Sequence, residues 1–243
     1  MKENKYDDQI FFEKYGQMSR SQQGLAGAGE WPTLEPMLPG FAGKRVLDLG
    51  CGYGWHCLYA AAHGAALVLG VDLSEKMLAV AREKSADLPI TYRCAAMEDV
   101  REPDGSFDVI LSSLAFHYVA DYPALVQECF RMLAPGGTLI FSCEHPVFTA
   151  EGSQSWLYGE DGAIRCFPVD NYYYEGKRDA LFLGEHVTKY HRTLGTLLRA
   201  LLAAGFVLAD VAEPMPPQEL LDQPGMKDEM RRPMMIIIKA EKP

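Results

Sequence analysis

Short apolar runs alternate with longer amphipathic stretches through the middle of the chain. Strands are predicted over residues 45–50, 66–72, 89–94, 107–112 and 138–143. Helices are predicted over residues 55–63, 74–86 and 121–133. Strands that are apolar throughout and separated by helices indicate βαβ units with a parallel sheet buried on both faces. Right-handed crossovers make such a sheet a doubly wound α/β layer.

The regular pattern stops over residues 144–192, where aromatic side chains stand among Gly, Asp and Pro without a clear period. We expect a long loop without regular structure there, and loops of this kind usually serve function. Leucines at helical spacing over residues 194–202 then predict an amphipathic helix that ends at Gly205. Residues 206–211 and 234–240 predict two more strands, and we expect an antiparallel pair because no clear helix separates them.

Amino-acid composition indicates which binding partners and which cellular compartment to expect. The net charge is -10 and no basic stripe is present, which argues against a nucleic-acid partner. The six cysteines show neither a C-x-x-C pair nor zinc-like spacing, so we expect no metal site and a reducing, cytoplasmic environment. The amino terminus does not have the pattern of a signal peptide, and no apolar run is long enough to span a bilayer. The charged residues from 227 to 232 are predicted to form a solvated face.

A glycine-rich loop follows the first predicted strand. Gly50, Gly52 and Gly54 stand at G-x-G-x-G spacing where that strand turns into a helix. Glycine lets the backbone approach a ligand closely, and the amino terminus of the helix adds unpaired N–H groups. Asp72 ends the second strand, where an acidic side chain can bind the two hydroxyls of a ribose. The loop and the acid therefore predict a nucleoside site.

Two cofactors fit such a site, a nicotinamide dinucleotide and S-adenosyl-L-methionine. The dinucleotide fingerprint requires G-x-G-x-x-G, but Trp55 occupies the sixth position here. Asp48, inside the strand, would repel a pyrophosphate and would suit a cationic ammonium. Both residues favour S-adenosylmethionine, although Asp48 could instead cap the loop by accepting from its N–H groups.

Four segments in order resemble the motifs of the class I S-adenosylmethionine-dependent methyltransferases, in their ubiquinone/rebeccamycin-type small-molecule branch. These segments are VLDLGCGYG (46–54), VLGVDLS (68–74), DGSFDVILSS (104–113) and RMLAPGGTLIFS (131–142). The resemblance implies a Rossmann-like, mostly parallel sheet of seven strands with the last strand antiparallel. It also implies that S-adenosyl-L-methionine is the cofactor and S-adenosyl-L-homocysteine the product.

With that resemblance, we expect a single domain over residues 1–243. Its parts are an N-terminal lid segment (1–40), a cofactor-binding half (41–143), a substrate-side insertion after strand five (144–193), and a C-terminal helix with the antiparallel strand pair (194–243). The lid segment and the insertion are expected to cover the site.

Residues on the cofactor side follow from the loop and from the resemblance. The expected set is Tyr15, Arg20, Asp48, Gly50, Gly52, Gly54, Asp72, Leu73, Met97, Glu98 and Ser113. Arg20 could pair with the methionine carboxylate or be an ordinary surface residue. Where the family often has an Asp that binds the adenine amino group, this chain has Ala96. Adenine would then contact backbone near Met97, the side chain of Leu73, or Glu98.

The acceptor side is expected after strands four and five. The expected catalytic set is His117, Glu144, His145, His191 and Arg192, of which the three histidines and Glu144 are the candidates for removing a proton from the acceptor. His117 could equally be a hydrogen-bonded structural histidine. Arg192 and the histidines would suit an anionic or phenolic acceptor.

The expected reaction is in-line displacement at the sulfonium methyl by a nitrogen, oxygen or carbon atom of a small molecule. The protein would supply alignment and exclusion of water. Two alternatives stay open at this point. One is an NAD(P)-dependent oxidoreductase, and the other is an adenosylmethionine-binding protein without transferase activity.

Overall fold

A computed structural model describes residues 4–243 of the chain. The strands are β1 (Arg45–Leu49), β2 (Leu67–Asp72), β3 (Ile90–Cys94), β4 (Phe107–Ser113), β5 (Leu133–Glu144), β6 (Leu157–Tyr158), β7 (Ile164–Cys166), β8 (Gly176–Phe182), β9 (Glu185–His191), β10 (Val207–Ala212) and β11 (Met235–Glu241). The α-helices are α1 (Gln9–Gly16), α2 (Ser19–Gln22), α3 (Trp31–Met37), α4 (Trp55–Ala62), α5 (Glu75–Lys84), α6 (Tyr122–Met132), α7 (Pro146–Thr149), α8 (Leu194–Ala204) and α9 (Met226–Glu229).

Seven of these strands form one sheet in the order β10-β11-β5-β4-β1-β2-β3. The strands run parallel except β11, which is antiparallel to both β5 and β10. This arrangement confirms the predicted α/β fold with its last strand antiparallel. The strand order changes direction between β1 and β4, and ligands of such sheets bind at the carboxyl ends of the strands beside that point.

Helices cover both faces of the sheet. Leu47 on β1 packs in a buried cluster with Leu125 on α6 and Leu197 on α8. Its neighbour Val46 points to the other face, where it joins Cys57 on α4 in a second cluster. Alternate side chains of a strand face opposite sides of the sheet, and here both sides are buried under helices. The strands are therefore apolar along their whole length, which explains the continuous apolar runs in the sequence.

The insertion contains more regular structure than its sequence indicates. Strands β8 and β9 pair as an antiparallel hairpin, and β6 pairs with β7. The expectation of a long loop without regular structure is therefore wrong. Leu183 and Gly184 form the β8–β9 turn with φ angles of 54° and 79°, the positive values that a two-residue hairpin turn favours. The polar residues Lys189 and His191 take buried positions of β9, which conceals the alternation of apolar and polar residues in the sequence.

The N-terminal segment packs against this hairpin. Phe11 on α1 is buried with Ala180 and Val187, and the ammonium of Lys14 donates to the carbonyl of Leu183 at 3.0 Å. These contacts join the segment and the insertion into one cover, which is called the roof below (residues 4–30 and 176–191).

Two further observations concern the surface. Arg232, predicted on a solvated face, is buried, and its guanidinium lies 4.6–5.1 Å from the ring centres of Phe148, Trp156 and Phe167. The guanidinium also pairs with both oxygens of Glu229, and this ion pair together with the aromatic contacts explains why the charge is tolerated there. Within the described residues 4–243, no helix combines the length and apolar character needed to cross a membrane.

Candidate functional site

A cleft of about 460 Å³ lies beside the glycine-rich loop that follows β1. Its lining residues come from the N-terminal segment, that loop, the start of α4 and the end of β4: Tyr15, Arg20, Ser21, Gly24, Leu25, Ala28, Gly50, Cys51, Gly52, Tyr53, Trp55, His56 and Ser113. Several residues predicted for the cofactor side therefore line one cleft, at the place where the fold favours a ligand.

Glycine is required at specific places in the loop. Gly50 has φ 76°, and a Cβ there would stand 2.5 Å from the Cβ of Ala115, which follows β4. Gly54 has φ 75° and caps the start of α4, where a Cβ would stand 2.5 Å from the hydroxyl of Tyr92. Since L-residues with a Cβ avoid both the positive φ and the short contact, the loop can take this close path only with glycine.

Backbone N–H groups fix the carboxylate of Asp72. Its Oδ2 accepts from the N–H of Gly52 at 2.8 Å, and its Oδ1 accepts from the N–H of Ser74 at 2.9 Å. Burial raises the pKa of Asp72, and these two N–H groups act against that effect. The carboxylate thus lies beside the glycine loop at the end of β2, the position predicted for a ribose contact.

Asp48 carries an unusual carboxyl group. It is 1% exposed, its Oδ2 accepts from the thiol of Cys57 at 3.4 Å, and its Oδ1 has no hydrogen-bond partner among the described residues. Burial raises the pKa of Asp48 to about 7. A buried carboxylate without a partner is costly, and a cationic ligand group would relieve that cost. This orphaned oxygen and the glycine cradle fit the ammonium and the nucleoside of adenosylmethionine.

The methionine end of the cleft contains an ion pair that the sequence did not indicate. Arg20 donates to Oε1 of Glu30, which is 2% exposed. The same oxygen accepts from the hydroxyl of Ser113 at 2.9 Å. Burial raises the pKa of Glu30, but Arg20 reverses the shift, so its net pKa is lowered and the carboxylate stays charged. Arg20 lines the cleft as predicted for a carboxylate ligand, yet its guanidinium already has an acidic partner.

The residues expected near adenine lie on the other side of the loop. The terminal methyl carbon of Met97 would lie 3.2 Å from a Cβ at Gly50. Ala96 is buried, and Glu98 belongs to the helical turn that Met97 begins. The carbonyl of Leu73 accepts from the side-chain amide of Asn4 at 3.1 Å, so the N-terminal segment also reaches the residue that follows β2.

His117 and Glu144 meet after β4 and β5. The backbone N–H of Glu144 donates to Nδ1 of His117 at 3.3 Å. This bond assigns the imidazole proton to Nε2. Burial lowers the pKa of His117 to about 4, so the ring is neutral at pH 7.

The carboxylate of Glu144 is held by two residues of the insertion. Lys189, which is 2% exposed, donates to Oε1 at 2.5 Å, and the amide of Gln154 donates to Oε2 at 2.6 Å. Burial raises the pKa of Glu144, but His117, Lys189 and Gln154 together bring it below its usual range. Glu144 is therefore a carboxylate with a cation beside it.

The other acceptor-side candidates, Arg192, His145 and His191, make polar contacts with other groups of the protein. Arg192 donates to the carbonyls of Val119, Ala120 and Tyr190. His145 caps α7 by accepting from the N–H of Val147, and its Nε2 lies 2.8 Å from Glu213. His191 contacts Thr149 at 2.7 Å and the carbonyl of Tyr172 at 2.9 Å. One small cavity, with room for about a single water molecule, is lined by His117, Glu144 and Arg192 but not by His145 or His191.

Tyr6 and Tyr118, which meet where the N-terminal segment covers the crevice, were not anticipated. The hydroxyls of Tyr6 and Tyr118 lie 3.1 Å apart, and the ring of Tyr15 packs edge-on against Tyr6 at 5.3 Å. Nothing in the sequence pattern links these residues, because Tyr6 and Tyr118 are 112 positions apart. The same holds for Glu30 and Lys189, which carry no motif.

Comparison with known proteins points in one direction. The family described as "Methyltransferase domain" matches residues 47–141. An S-adenosylmethionine-dependent methyltransferase structure from Mesorhizobium loti is 44% identical, with a TM-score of 0.83 over 90% of this chain and 100% of that one. A candidate methyltransferase of the same dependence from Listeria monocytogenes is 50% identical, with a TM-score of 0.86 over 90% and 99% of the two chains.

A third relative matches over a shorter stretch. The ubiquinone biosynthesis O-methyltransferase of Chromobacterium violaceum is 41% identical over 104 residues. These residues make up 42% of this chain and 44% of that enzyme, so the match spans less than half of its length.

Proposed function

The chain belongs to the S-adenosylmethionine-dependent methyltransferases, and on that basis we propose that it methylates a small molecule held in the crevice after β4 and β5. Its cofactor is S-adenosylmethionine, which supplies a methyl group on a positively charged sulfur when bound. In this proposal the acceptor atom is nitrogen, oxygen or carbon.

The observation that carries the proposal is the unpartnered Oδ1 of Asp48 beside the fixed carboxylate of Asp72. In the proposed roles, Asp72 accepts from the ribose hydroxyls, Asp48 contacts the methionine ammonium, and Gly50 and Gly52 let the backbone approach. Tyr15 and the Arg20–Glu30 pair line the methionine end, and Met97 contacts the adenine. With the cofactor held by these residues, His117 and Glu144 would lie on the acceptor side of the site.

A small acceptor is supported by the roof. Tyr6 closes against Tyr118, and Lys189 reaches across to Glu144, which Gln154 of the insertion also contacts. A crevice enclosed in this way excludes water and holds a small molecule in line with the methyl group, which are the two services that methyl transfer from a sulfonium needs.

The proposal is tested by binding and by transfer. Calorimetry should show binding of S-adenosylmethionine and S-adenosylhomocysteine but not of NAD or NADP. Asp72→Ala should weaken adenosylmethionine binding strongly, and Asp104→Ala, a change at an exposed acid of the surface pair with Arg131, should leave it unaltered.

Transfer is followed with S-adenosylmethionine labelled in its methyl group and a deproteinised extract of the producing cells. We expect label in the small-molecule fraction. Binding without any transfer would indicate a binding protein instead, and label confined to macromolecules when whole lysate is supplied would contradict a small acceptor.

A further inference from the structure

The carboxylate of Asp7 fastens the N-terminal segment to the start of α5. Its Oδ1 accepts from the hydroxyl of Ser74 at 2.5 Å and from the N–H of Lys76 at 3.2 Å. Its Oδ2 accepts from the side-chain amide of Asn4 at 2.7 Å. Partial burial raises the pKa of Asp7, but these three partners bring it below its usual range. The group is therefore a carboxylate at neutral pH, and its bonds are charge-assisted.

Ser74 connects this fastening to the nucleoside side of the cleft. It is fully buried, and its hydroxyl oxygen caps α5 by accepting from the N–H of Met77 at 3.1 Å. Its own N–H donates to Oδ1 of Asp72, whose Oδ2 accepts from the N–H of Gly52. A continuous series of hydrogen bonds thus joins the N-terminal segment, through Ser74, to the acid proposed for the ribose.

The fastened segment lies close to that acid. Burial raises the pKa of Tyr6 and of Tyr15, and the negative charge of Asp72 raises both further, so both rings lie near the carboxylate. Tyr15 also lines the cleft. The side-chain amide of Asn4 donates to the carbonyl of the residue that follows Asp72. A nucleoside bound to Asp72 must therefore enter and leave past this segment.

The fastening and the proposed cofactor contacts use different groups. Asp7 bonds a hydroxyl and a backbone N–H at the start of α5, whereas the cofactor is assigned to Asp48, Asp72 and the glycine loop. We therefore expect the fastening to be equally strong with and without bound cofactor. A contact of equal strength in both states leaves the affinity unchanged, but it lowers the fraction of time for which the site is open.

We propose that Asp7 is a latch that holds the N-terminal segment over the cofactor and sets the rate at which S-adenosylmethionine enters and its product leaves. This inference rests on the proposed methyltransferase function. When Asp7 releases Ser74 and Lys76, the segment can lift at its nucleoside end while Phe11 stays packed against the β8–β9 hairpin. Segments that close over an active site control ligand exchange in many enzymes.

Binding kinetics test the inference. The full chain and the variant Asp7→Asn are each mixed with S-adenosylhomocysteine in a stopped-flow instrument, and the fluorescence of Trp55 in the cleft wall gives the signal. Asn has one acceptor oxygen where Asp has two, so its amide group must face a donor. We expect the association and dissociation rate constants both to rise roughly fivefold, the factor for about one hydrogen bond. The Kd should stay unchanged.

The matched control is Asp8→Asn. Asp8 is the next residue and is also exposed, so this substitution removes the same charge from the same segment. Its carboxylate accepts from the N–H groups of Ile10 and Phe11 and so caps α1, a role that Asn fills equally well. Both rate constants of this variant should equal those of the unchanged chain.

Each other outcome has a definite meaning. A rise in the dissociation rate alone, with a matching loss of affinity, would overturn the inference, because it would place Asp7 among the groups that bind the ligand. Unchanged rates in Asp7→Asn would also overturn it. Both results leave the methyltransferase function in place. Failure of the unchanged chain to bind S-adenosylhomocysteine would remove that function and the inference with it.

Amide hydrogen exchange gives a second readout that needs no ligand. In the free protein, Asp7→Asn should speed exchange in peptides that cover residues 4–13, while exchange in the strands of the large sheet stays as it was. Local opening of a latch produces this pattern, because only the released segment loses protection. Faster exchange throughout the chain would show a loss of overall stability and would contradict a latch.

Discussion

The two walls of the cleft are built in different ways. On the cofactor wall, the glycine loop makes contacts that are close in sequence, and Asp72 bonds Gly52 only 20 positions away. On the acceptor wall, side chains meet from distant parts of the chain: Lys189 and Glu144 are 45 positions apart, and Tyr6 and Tyr118 are 112 apart. The cofactor wall therefore depends on the path of the backbone, and the acceptor wall depends on contacts between side chains. We expect substitutions in one wall to have effects that can be measured separately from those in the other.

The largest effect is expected at the glycine loop. Gly50→Ala combines a positive φ with a Cβ 2.5 Å from that of Ala115, and the loop must move to relieve the contact. Affinity for S-adenosylmethionine should fall roughly 1,000-fold, about 4 kcal/mol, in a calorimetric titration. Gly43→Ala is the matched control, because Gly43 also has a positive φ but no atom within 4 Å of the new Cβ. Equal losses in both variants would show that the close approach at Gly50 does not matter.

The next largest effect is expected from a substitution in the acceptor wall that leaves the cofactor wall intact. Lys189→Met strands the buried carboxylate of Glu144, and losing one partner of a buried pair should lower the free energy of unfolding by about 3 kcal/mol. Affinity for S-adenosylmethionine should stay unchanged. Chemical denaturation and calorimetry measure the two quantities, with Lys177→Met as the control at an exposed position of the same hairpin. A parallel loss of cofactor affinity would mean that the two walls are coupled.

A smaller effect follows from the pKa of Asp48, about 7. The ammonium of the cofactor needs the carboxylate form, which is lost as the pH falls through 7. Affinity for S-adenosylmethionine should therefore be about tenfold lower at pH 6 than at pH 8, roughly 1.4 kcal/mol. Asp48→Asn should remove most of this dependence, and an unchanged pH profile in that variant would assign the titration to another group.

The same group has the opposite effect on the protein without cofactor. Its pKa is higher in the folded than in the unfolded chain, so the folded state binds more protons between about pH 4 and pH 7. The free energy of unfolding contributed by Asp48 is thus full at low pH and is lost as the pH rises through 7. Thermal unfolding of the free protein should show Asp48→Asn to be the more stable at pH 8.

The smallest effect concerns the contact between roof and acceptor wall. Tyr6→Phe removes the hydroxyl that meets Tyr118 at 3.1 Å and should cost about 1 kcal/mol of unfolding free energy. Tyr118→Phe should cost a similar amount, and the double variant should cost little more than either single change. Additive losses in this cycle would show that the two hydroxyls do not interact.

The difference between the two walls also explains which features of the structure could be predicted from the sequence. The mostly parallel sheet with its antiparallel last strand could be predicted from motifs, and so could the positions of the proposed cofactor residues Asp48, Gly50 and Asp72, because strand, turn and helix succeed one another within a few residues. Glu30 lies in a Gly-rich segment without a motif, and its position is set by Arg20 and Ser113 only once the chain has folded.

The insertion shows a second reason for failure. Its β8–β9 hairpin places Lys189 and His191 on the buried side, so the alternation that predicts a strand is carried partly by polar residues. Their burial depends on Glu144 and Thr149, which lie in other segments. Local pattern cannot indicate a partner that tertiary structure supplies.

The roof is shared by both ligands, and this has a consequence for the order of events in catalysis. Asn4 and Asp7 hold the segment after β2, beside the ribose acid, while Tyr6 between them closes on Tyr118 at the acceptor wall. In the proposed arrangement of the site, spent cofactor is exchanged only when the element that also retains the acceptor lifts. We therefore expect the enzyme to be distributive: an acceptor with two methylation sites should leave after each transfer, and singly methylated product should accumulate in solution before any doubly methylated product forms.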